Sequence, residues 1–263
     1  MSILDDIIHY KRQEVKEKKQ ITPVEVLCNS SLFQRIPFSL AESIEGKKGK
    51  AVIAEYKRKS PSKGIINDLS DVVQTTVGYM HAGVAGISIL TDEKFFGGSP
   101  KDLINVRAQI RIPILRKDFI VDPYQVYEAK AMGADVILLI AACLTATEML
   151  ELSQLATSLR LETLFEIHDI DEIDKLPKEA RLVGVNNRNL KNFEVDLNHS
   201  KQICNSLPRN CLKIAESGIH SVEDANILSS AGFDAFLIGE YFMKQESPET
   251  ACRNFLEALN KAL

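Results

Sequence analysis

Paired cysteines are missing from this 263-residue sequence, as are long apolar runs and a surplus of positive charge. Its five cysteines are odd in number, far apart and never arranged as Cys-x-x-Cys: Cys28, Cys143, Cys204, Cys211 and Cys252. This pattern argues against a disulfide framework and against a zinc site. Free thiols fit a reducing compartment, so we expect a cytoplasmic protein that holds no metal.

The charge balance and the lack of apolar runs exclude further classes of protein. No run approaches the roughly 18 residues of a membrane span, and Asp5 and Asp6 lie where a signal peptide would carry positive charge. The formal net charge of −4 argues against a general nucleic-acid or acidic-membrane binder. We therefore expect neither nucleic acid nor a membrane as a partner. With 45% apolar and 26% charged residues, the composition is that of an ordinary globular protein.

From residue 51 onward, short apolar runs alternate with stretches of helical periodicity, as they do in repeated βα units. Eight strands are predicted, at 51–56, 86–90, 113–117, 135–140, 163–167, 182–186, 212–216 and 235–239. Clear helices are predicted at 123–132, 145–159, 221–231 and 248–259. Eight βα units favour an α/β fold of the (β/α)8 TIM-barrel type over an open doubly wound sheet.

Residues 1–50 precede the first predicted strand and are expected to form an N-terminal helical extension to a barrel over 51–263. Apolar residues recur there at helical spacing: Ile3, Leu4, Ile7, Ile8 and Val15. Such a helix packs on the side of the barrel or caps one of its mouths, and the sequence leaves both alternatives open. Because the chain stops soon after the eighth βα unit, we expect a monofunctional protein. We also expect a monomer.

Polar side chains are concentrated at the ends of six predicted strands, where the active residues of a TIM barrel lie. They are Glu55 and Lys57; Lys117 and Asp118; Glu166 and His168; Asn186, Asn187 and Arg188; Glu216, Ser217 and Gly218; and Gly239 and Glu240. Since side chains alternate along a strand, Glu55 and Lys57 share one face. Unpaired buried charge is costly, so these groups compensate one another, face a ligand, or both. A purely structural ion-pair network is the alternative.

Three glycine-bearing loops, at 60–64, 216–219 and 239–240, are suited to bind a phosphate through backbone N–H groups. Phe95 and Phe96, after the second strand, either stack on an aromatic substrate or plug the core beneath their loop. His168 is a candidate acid or base. The other histidines lie at unrelated positions, so we expect no metal site.

Seven segments carry a family resemblance through their order and spacing: AEYKRKSPSKG, SILTDEKFFGGS, PILRKDFIVDPYQVYEAKAMGADVILLI, LFEIHD, VGVNNRNLKNFEVDL, AESGI and FLIGE. The sequence resembles the indole-3-glycerol phosphate synthases over nearly its whole length. The resemblance implies a carboxy-lyase that closes the pyrrole ring of 1-(2-carboxyphenylamino)-1-deoxyribulose 5-phosphate, releasing carbon dioxide and water, in tryptophan biosynthesis. It also implies a small phosphorylated substrate and no cofactor.

The resemblance further assigns catalytic roles. Lys117 is expected to be the general acid on the substrate carbonyl, and Glu166 the partner in proton removal. Lys57 is expected to bind the substrate carboxylate and to take part in the dehydration, with Glu55 tuning it. Crowding of the two lysines is expected to disfavour their ammonium forms and so ease proton donation.

The remaining site residues follow from the same resemblance. Asn186, Glu216 and Ser217 complete the expected catalytic set. The expected substrate-binding residues are Ser60, Phe96, Phe119, Arg188, Leu190, Gly218, Leu237, Gly239 and Glu240. Glu240 departs from the serine found in some members of the family. Because an acid repels a phosphate, only its backbone N–H is expected to bind, with the side chain turned away.

Two other functions compete with this interpretation. A sister sugar-phosphate isomerase would need a cysteine/aspartate or paired-aspartate arrangement at the strand ends, where Lys57 and Lys117 stand instead. A catalytically inactive barrel that serves as a binding subunit would need the loss of a catalytic group, and none is lost in the sequence.

Overall fold

The computed structural model describes residues 3–188 and 197–261, and a closed barrel of eight parallel strands forms its centre. The strands are β1 (Ala51–Tyr56), β2 (Gly86–Leu90), β3 (Ile114–Lys117), β4 (Val136–Ile140), β5 (Glu162–Ile167), β6 (Leu182–Asn186), β7 (Leu212–Glu216) and β8 (Ala235–Ile238). Pairing of β8 with β1, from Ala51 with Ala235 to Ala54 with Ile238, closes the barrel. The predicted TIM barrel is confirmed and the open sheet is excluded. Every predicted strand end lies within one residue of the observed end.

The helices are α1 (Ile3–Ile21), α2 (Val24–Cys28), α3 (Leu40–Glu45), α4 (Val72–Ala82), α5 (Glu93–Phe96), α6 (Pro100–Gln109), α7 (Pro123–Met132), α8 (Ala146–Ser158), α9 (Leu197–Ser206), α10 (Val222–Ser230), α11 (Glu240–Met243) and α12 (Pro248–Lys261). The four predicted helices correspond to α7, α8, α10 and α12. Local signals explain this agreement. At α7, Asp122 accepts the N–H of Tyr124, Pro123 lies in the first turn, and Gly133 ends the helix with φ of 88°.

The short elements that were not predicted from the sequence include a hairpin and two 3-10 helices. A hairpin of Lys59–Ser60 and Gly64–Ile65 follows β1. The 3-10 helices Ala141–Cys143 and Ile170–Lys175 follow β4 and β5. Segments of this length are too short to show a periodic pattern.

Alternation along the strands divides their apolar side chains into two layers. Outward-facing residues such as Val52 and Ile137 join the layer between the barrel and its helices. Inward-facing residues such as Ile53, Leu138 and Leu164 fill the barrel itself. Beyond this inner layer, toward the carboxyl ends of the strands, the next inward positions carry charged groups. The barrel core is therefore the apolar floor of a polar site.

The N-terminal extension contacts both ends of the barrel. On α3, Leu40, Ala41 and Ile44 pack into the inner layer at the amino ends of the strands. Glu162, the first residue of β5, accepts the backbone N–H of Leu40 at 2.7 Å. At the opposite end, the first turns of α1 reach the pocket described below. Helix α1 therefore fits both alternatives for the extension, packing and capping. Its first turns reach one mouth of the barrel, and its Val15 is buried.

Candidate active site

A pocket of about 1200 Å³, including its open mouth, lies at the carboxyl ends of the strands. Its lining includes Glu55, Lys57, Ser60, Phe96, Lys117, Phe119, Glu166, Asn186, Arg188, Glu216, Ser217, Gly218, Leu237, Gly239 and Glu240. The catalytic and substrate-binding residues expected from the family resemblance are therefore brought to one cavity wherever the structure describes them, whereas the strand-end residues Asn187 and His168 do not line it. Leu190 lies outside the described residues.

Lys117 lies between two buried carboxylates at the centre of this pocket. Its Nζ is 2.6 Å from Oε2 of Glu166 and 2.8 Å from Oε2 of Glu216. The three residues end β3, β5 and β7, so their inward positions meet across the barrel. Gly184 on β6 leaves the space that Glu216 occupies, since a Cβ there would overlap its Oε1.

Electrostatics in this cluster differ from the expected crowding of lysines. Burial disfavours the Lys117 ammonium, but Glu166 and Glu216 outweigh burial and raise its pKa. Burial likewise opposes the Glu166 carboxylate, yet Lys117 and His168 hold its pKa well below the ordinary value. For Glu216, burial and the nearby charge of Glu166 raise the pKa to about 8, against the pull of Lys117. The expectation that crowding disfavours the Lys117 ammonium is wrong, because carboxylates surround it. Lys117 is therefore a charged ammonium group.

Lys57 forms a second ion pair in the same pocket. Its Nζ lies 2.8 Å from Oε1 of Glu55, and the other carboxylate oxygen of Glu55 accepts a hydrogen bond from Ser88 at 3.1 Å. A Cβ on Gly239 would lie 2.8 Å from Oε1 of Glu55, so glycine is needed at the end of β8. Ser88 was not predicted as a site residue because a single serine inside an apolar strand carries no signal.

The end of β6 links the acid cluster to the rim of the pocket. Asn186 donates to Oε1 of Glu166 at 3.0 Å and accepts the backbone N–H of Arg188 at 3.0 Å. The guanidinium of Arg188 lies 3.4 Å from Ser62 and 3.4 Å from Oε2 of Glu240. Arg188 is thus aimed across the pocket mouth.

The loop after β7 has an unusual backbone conformation, and the first residue of the helix after β8 is paired with cations. Ser217 and Gly218 both adopt left-handed φ angles, 65° and 72°. A serine rarely adopts this conformation without support, and Asn187 supports it by donating to the Ser217 carbonyl at 2.6 Å. The Glu240 carboxylate is paired with Lys244 and Arg188. Its negative charge is therefore neutralised by two cations.

The apolar side of the pocket contains two aromatic rings. Phe96 and Phe119 lie 6.0 Å apart at an interplanar angle of 39°. Phe95, by contrast, packs edge-on against Tyr10 of α1 at 5.8 Å. Phe95 thus packs against α1, whereas Phe96 faces the cavity.

Comparison with known proteins identifies the family of this chain. A sequence model described as Indole-3-glycerol phosphate synthase matches residues 4–255. Curated proteins of that name are similar over nearly their whole length. The Bacteroides thetaiotaomicron protein is 43% identical over 98% of both chains. The Carboxydothermus hydrogenoformans protein is 40% identical over 94% of this chain and 97% of its own. The chain belongs to the indole-3-glycerol phosphate synthase family.

Membership of the synthase family confirms the predicted function, an indole-3-glycerol phosphate synthase in tryptophan biosynthesis, and the predicted class of decarboxylating lyase. It also confirms a small phosphorylated substrate as the ligand class. The sister isomerase is set aside. None of the described helices is long and apolar enough to cross a membrane.

One buried network of this synthase was missed by sequence reasoning. Lys11 of α1 lies 2.9 Å from Asp92 and 3.0 Å from Asp118. Asp118 also pairs with Arg116 at 3.0 Å. Asp92 caps α5 by accepting the N–H of Phe96, so the network fixes the loops that carry both pocket aromatics. The partners are far apart in the sequence, and no local pattern connects Lys11 with them.

Proposed function

We propose that Lys117, Glu166 and Lys57 carry out the proton transfers of indole-3-glycerol phosphate synthesis in this pocket. The observation that supports this most directly is the Lys117 ammonium, buried beside two carboxylates and above an apolar floor. Such an arrangement holds a proton ready in a site of low polarity, where a charge aimed at the substrate acts strongly.

In the first step, Lys117 donates to the ketone oxygen of the substrate. The carbonyl carbon becomes electrophilic, and the aromatic carbon that bears the carboxylate attacks it to form the new carbon–carbon bond. The Phe96 and Phe119 rings are placed to contact the substrate's aromatic ring while this bond forms. Holding the two reacting carbons together is itself a large part of the catalysis.

In the second step, the substrate carboxylate leaves as carbon dioxide and its bonding electrons restore the aromatic ring. We assign Lys57 to hold this carboxylate until then. Its partner Glu55, itself held by Ser88, fixes the position of the ammonium. The Lys57 ammonium has three N–H donors, so it can bind the substrate carboxylate while it keeps Glu55 as a partner.

The third step removes water. The hydroxyl formed from the ketone takes a proton from the Lys57 ammonium and departs as water, and a proton leaves the neighbouring carbon to complete the pyrrole double bond. Glu166, ionised by its neighbours, is the acceptor that we assign to this second proton. Asn186 and Glu216 fix its position and that of Lys117. Starting from the substrate carboxylate, the sequence takes up one proton overall and releases carbon dioxide and water.

The sugar phosphate is assigned to the opposite side of the pocket. This side of the pocket is lined by Gly218, Gly239 and Glu240, together with Arg188 and Ser60. We assign the backbone N–H groups of the first three residues to the phosphate. Ser217 is assigned to shape the loop through its left-handed backbone. Backbone N–H groups bind phosphate well where the dipole of the following turn adds positive potential.

We also propose that this synthase works as a cytoplasmic monomer. Residues of the 1–50 extension and of the 51–263 barrel complete the pocket within one chain, which supports a monomeric unit. The five cysteines lie unpaired, which fits a reducing compartment. Light scattering of the purified protein tests the monomeric state. The mass of a dimer that does not change with protein concentration would contradict the proposal.

The test of the proposed function is an assay with purified, metal-chelated protein and carboxyphenylamino-deoxyribulose phosphate, followed by indole fluorescence. We expect indole-3-glycerol phosphate to appear. A folded protein that binds phosphate and forms no product would support the inactive barrel instead.

A further inference from the structure

His168 is a titratable group beside the acid cluster to which the proposed mechanism gives no role. It follows β5 directly, two residues after Glu166, so both side chains lie on the same face of the strand. Its Nε2 is 3.2 Å from Oε1 of Glu166, and its Nδ1 is 3.8 Å from Oε2 of Glu172. The ring is thus placed between two carboxylates, with 11% of its side chain exposed.

Glu172 is held in place by the backbone as well. Its Oε2 accepts the N–H of His168 at 2.7 Å, which ties the 3-10 helix Ile170–Lys175 to the end of β5. The result is a chain of three groups, Glu172, His168 and Glu166, of which Glu166 lines the pocket. The oxygen of Glu166 that faces His168 is not the one that contacts Lys117.

Other titratable groups surround this chain on every packed element. Lys117 of β3 and Glu216 of β7 lie on its inner side. Cys143, in the turn after β4, and Lys175, in the 3-10 helix, interact electrostatically with Glu166 or Glu172. From α9, Nε2 of His199 lies 3.1 Å from the backbone carbonyl of His168, not from its ring. The two carboxylates are therefore the charges that act most directly on the imidazole.

We propose that His168 is a positioning residue, whose imidazolium, kept charged by Glu172, orients the Glu166 carboxylate and holds it ionised for proton removal. This inference rests on the role proposed above for Glu166. The imidazolium places a cation beside Oε1 of Glu166, the oxygen that accepts the Asn186 amide and does not contact Lys117, so that each oxygen of the carboxylate faces a cation. It also keeps Glu166 ionised when Lys117 has given its proton to the substrate.

The electrostatics agree with this geometry. Burial disfavours the imidazolium, but Glu166 and Glu172 outweigh burial and raise the pKa of His168 to about 9. The ring is therefore charged throughout the neutral range. Because an imidazolium lowers the pKa of an adjacent carboxyl, its removal should raise the pKa of Glu166.

The first test is the pH dependence of kcat/KM in His168→Gln, which keeps a hydrogen-bond donor but not the charge. We expect the acid limb to move up by about one pH unit and kcat at neutral pH to fall roughly tenfold with little change in KM. Glu172→Gln should leave the acid limb in place, because His168 still takes up a proton at low pH. The exposed His81→Gln is the control and should match the wild type.

The second test is direct titration of the His168 ring by NMR, with the signal assigned from its loss in His168→Gln. A midpoint near 9 in the wild type, lowered in Glu172→Gln, is the expected result. A midpoint near the ordinary value of about 6.5, or an unchanged acid limb in His168→Gln, would overturn the inference. The variant Glu166→Gln distinguishes the role proposed for Glu166 from the role proposed for His168. Normal turnover in Glu166→Gln would refute the role proposed for Glu166. An inactive Glu166→Gln, together with a His168→Gln that behaves like the wild type, would refute only the role proposed for His168.

Discussion

At the scale of single residues, one ammonium group held between two carboxylates determines the proposed chemistry. Met in place of Lys117 keeps the apolar stem and removes the proton donor. We expect Lys117→Met, and separately Glu166→Gln, to lower kcat by about a hundredfold or more, the usual effect of losing a general acid or base. Indole fluorescence measures both. The exposed Lys101→Met should keep wild-type turnover, and near-normal turnover in both site variants would refute the assignment.

The same ammonium also determines how stability depends on pH. Without Lys117, Glu216 keeps the burial and the nearby charge of Glu166 that raise its pKa and loses the cation that opposes them, so its folded-state pKa lies further above the unfolded value of about 4.3. A raised carboxyl pKa gives stability that is fully present below the unfolded pKa and is lost as pH rises through the folded one. Relative to the wild type, Lys117→Met should therefore lose more stability at pH 8 than at pH 5 in urea unfolding. Equal losses at both pH values would contradict this.

Gly184 shows that a missing side chain can be as specific as a charged one. A Cβ at this position would overlap Oε1 of Glu216, so Gly184→Ala should push Glu216 away from Lys117. We expect kcat to fall about tenfold or more, since a misplacement of about 1 Å near the reacting groups is costly. A structure of the variant in which Lys117 and Glu216 keep their contact would rule this out. Gly46→Ala, at the end of α3 with an ordinary φ, is the control.

At the scale of elements, α1 is fixed to the barrel by a buried charge. Burial opposes the Lys11 ammonium, but Asp118 and Asp92 outweigh it and raise its pKa. Lys11→Met leaves the buried Asp92 without this cation and Asp118 with Arg116 in place of two cations, which should cost about 3–5 kcal/mol of unfolding free energy. The exposed Lys16→Met should change stability by less than about 0.5 kcal/mol. Urea unfolding at pH 7 measures both, and similar values for the two variants would refute the prediction.

The pH dependence of this loss has a definite sign. Lys11 and Arg116 hold the pKa of Asp118 below its ordinary value although burial opposes them. A depressed carboxyl pKa gives stability that is present above the unfolded pKa and is lost as pH falls through the folded one. The difference between Lys11→Met and wild type should therefore shrink below about pH 4, the unfolded pKa of an aspartate.

Elements with a local signal were predictable from the sequence, and contacts between distant elements were not. The eight strands follow from apolar runs, and α7 follows from Asp122, Pro123 and Gly133. Because parallel strands end at one rim, polar residues after six strands also predicted the site. Lys11 could not be assigned, since its partners Asp92 and Asp118 lie some 80 to 107 positions away. Only the folded barrel brings them together.

At the scale of the whole molecule, a protein with a net charge of −4 is proposed to bind an anionic substrate. This requires cations to be concentrated where the substrate lies. Lys57, Lys117 and Arg188 all line the pocket, and each contacts a carboxylate of the protein. Field strength at a site depends on such local placement rather than on net charge. The paired carboxylates keep the cations compensated before the substrate arrives.

This arrangement predicts that the phosphate contributes strongly to ligand binding and so to stability. A ligand that binds only the folded chain stabilises it by about 2.7 kcal/mol at a concentration of 100 times its Kd. For a chain of this size, indole-3-glycerol phosphate should then raise Tm by about 5–10 °C. Indole glycerol without the phosphate, at the same concentration, should give a much smaller shift in differential scanning calorimetry. Equal shifts would mean that Arg188 and the loops after β7 and β8 do not bind the phosphate, because the remaining contacts would then account for all of the affinity.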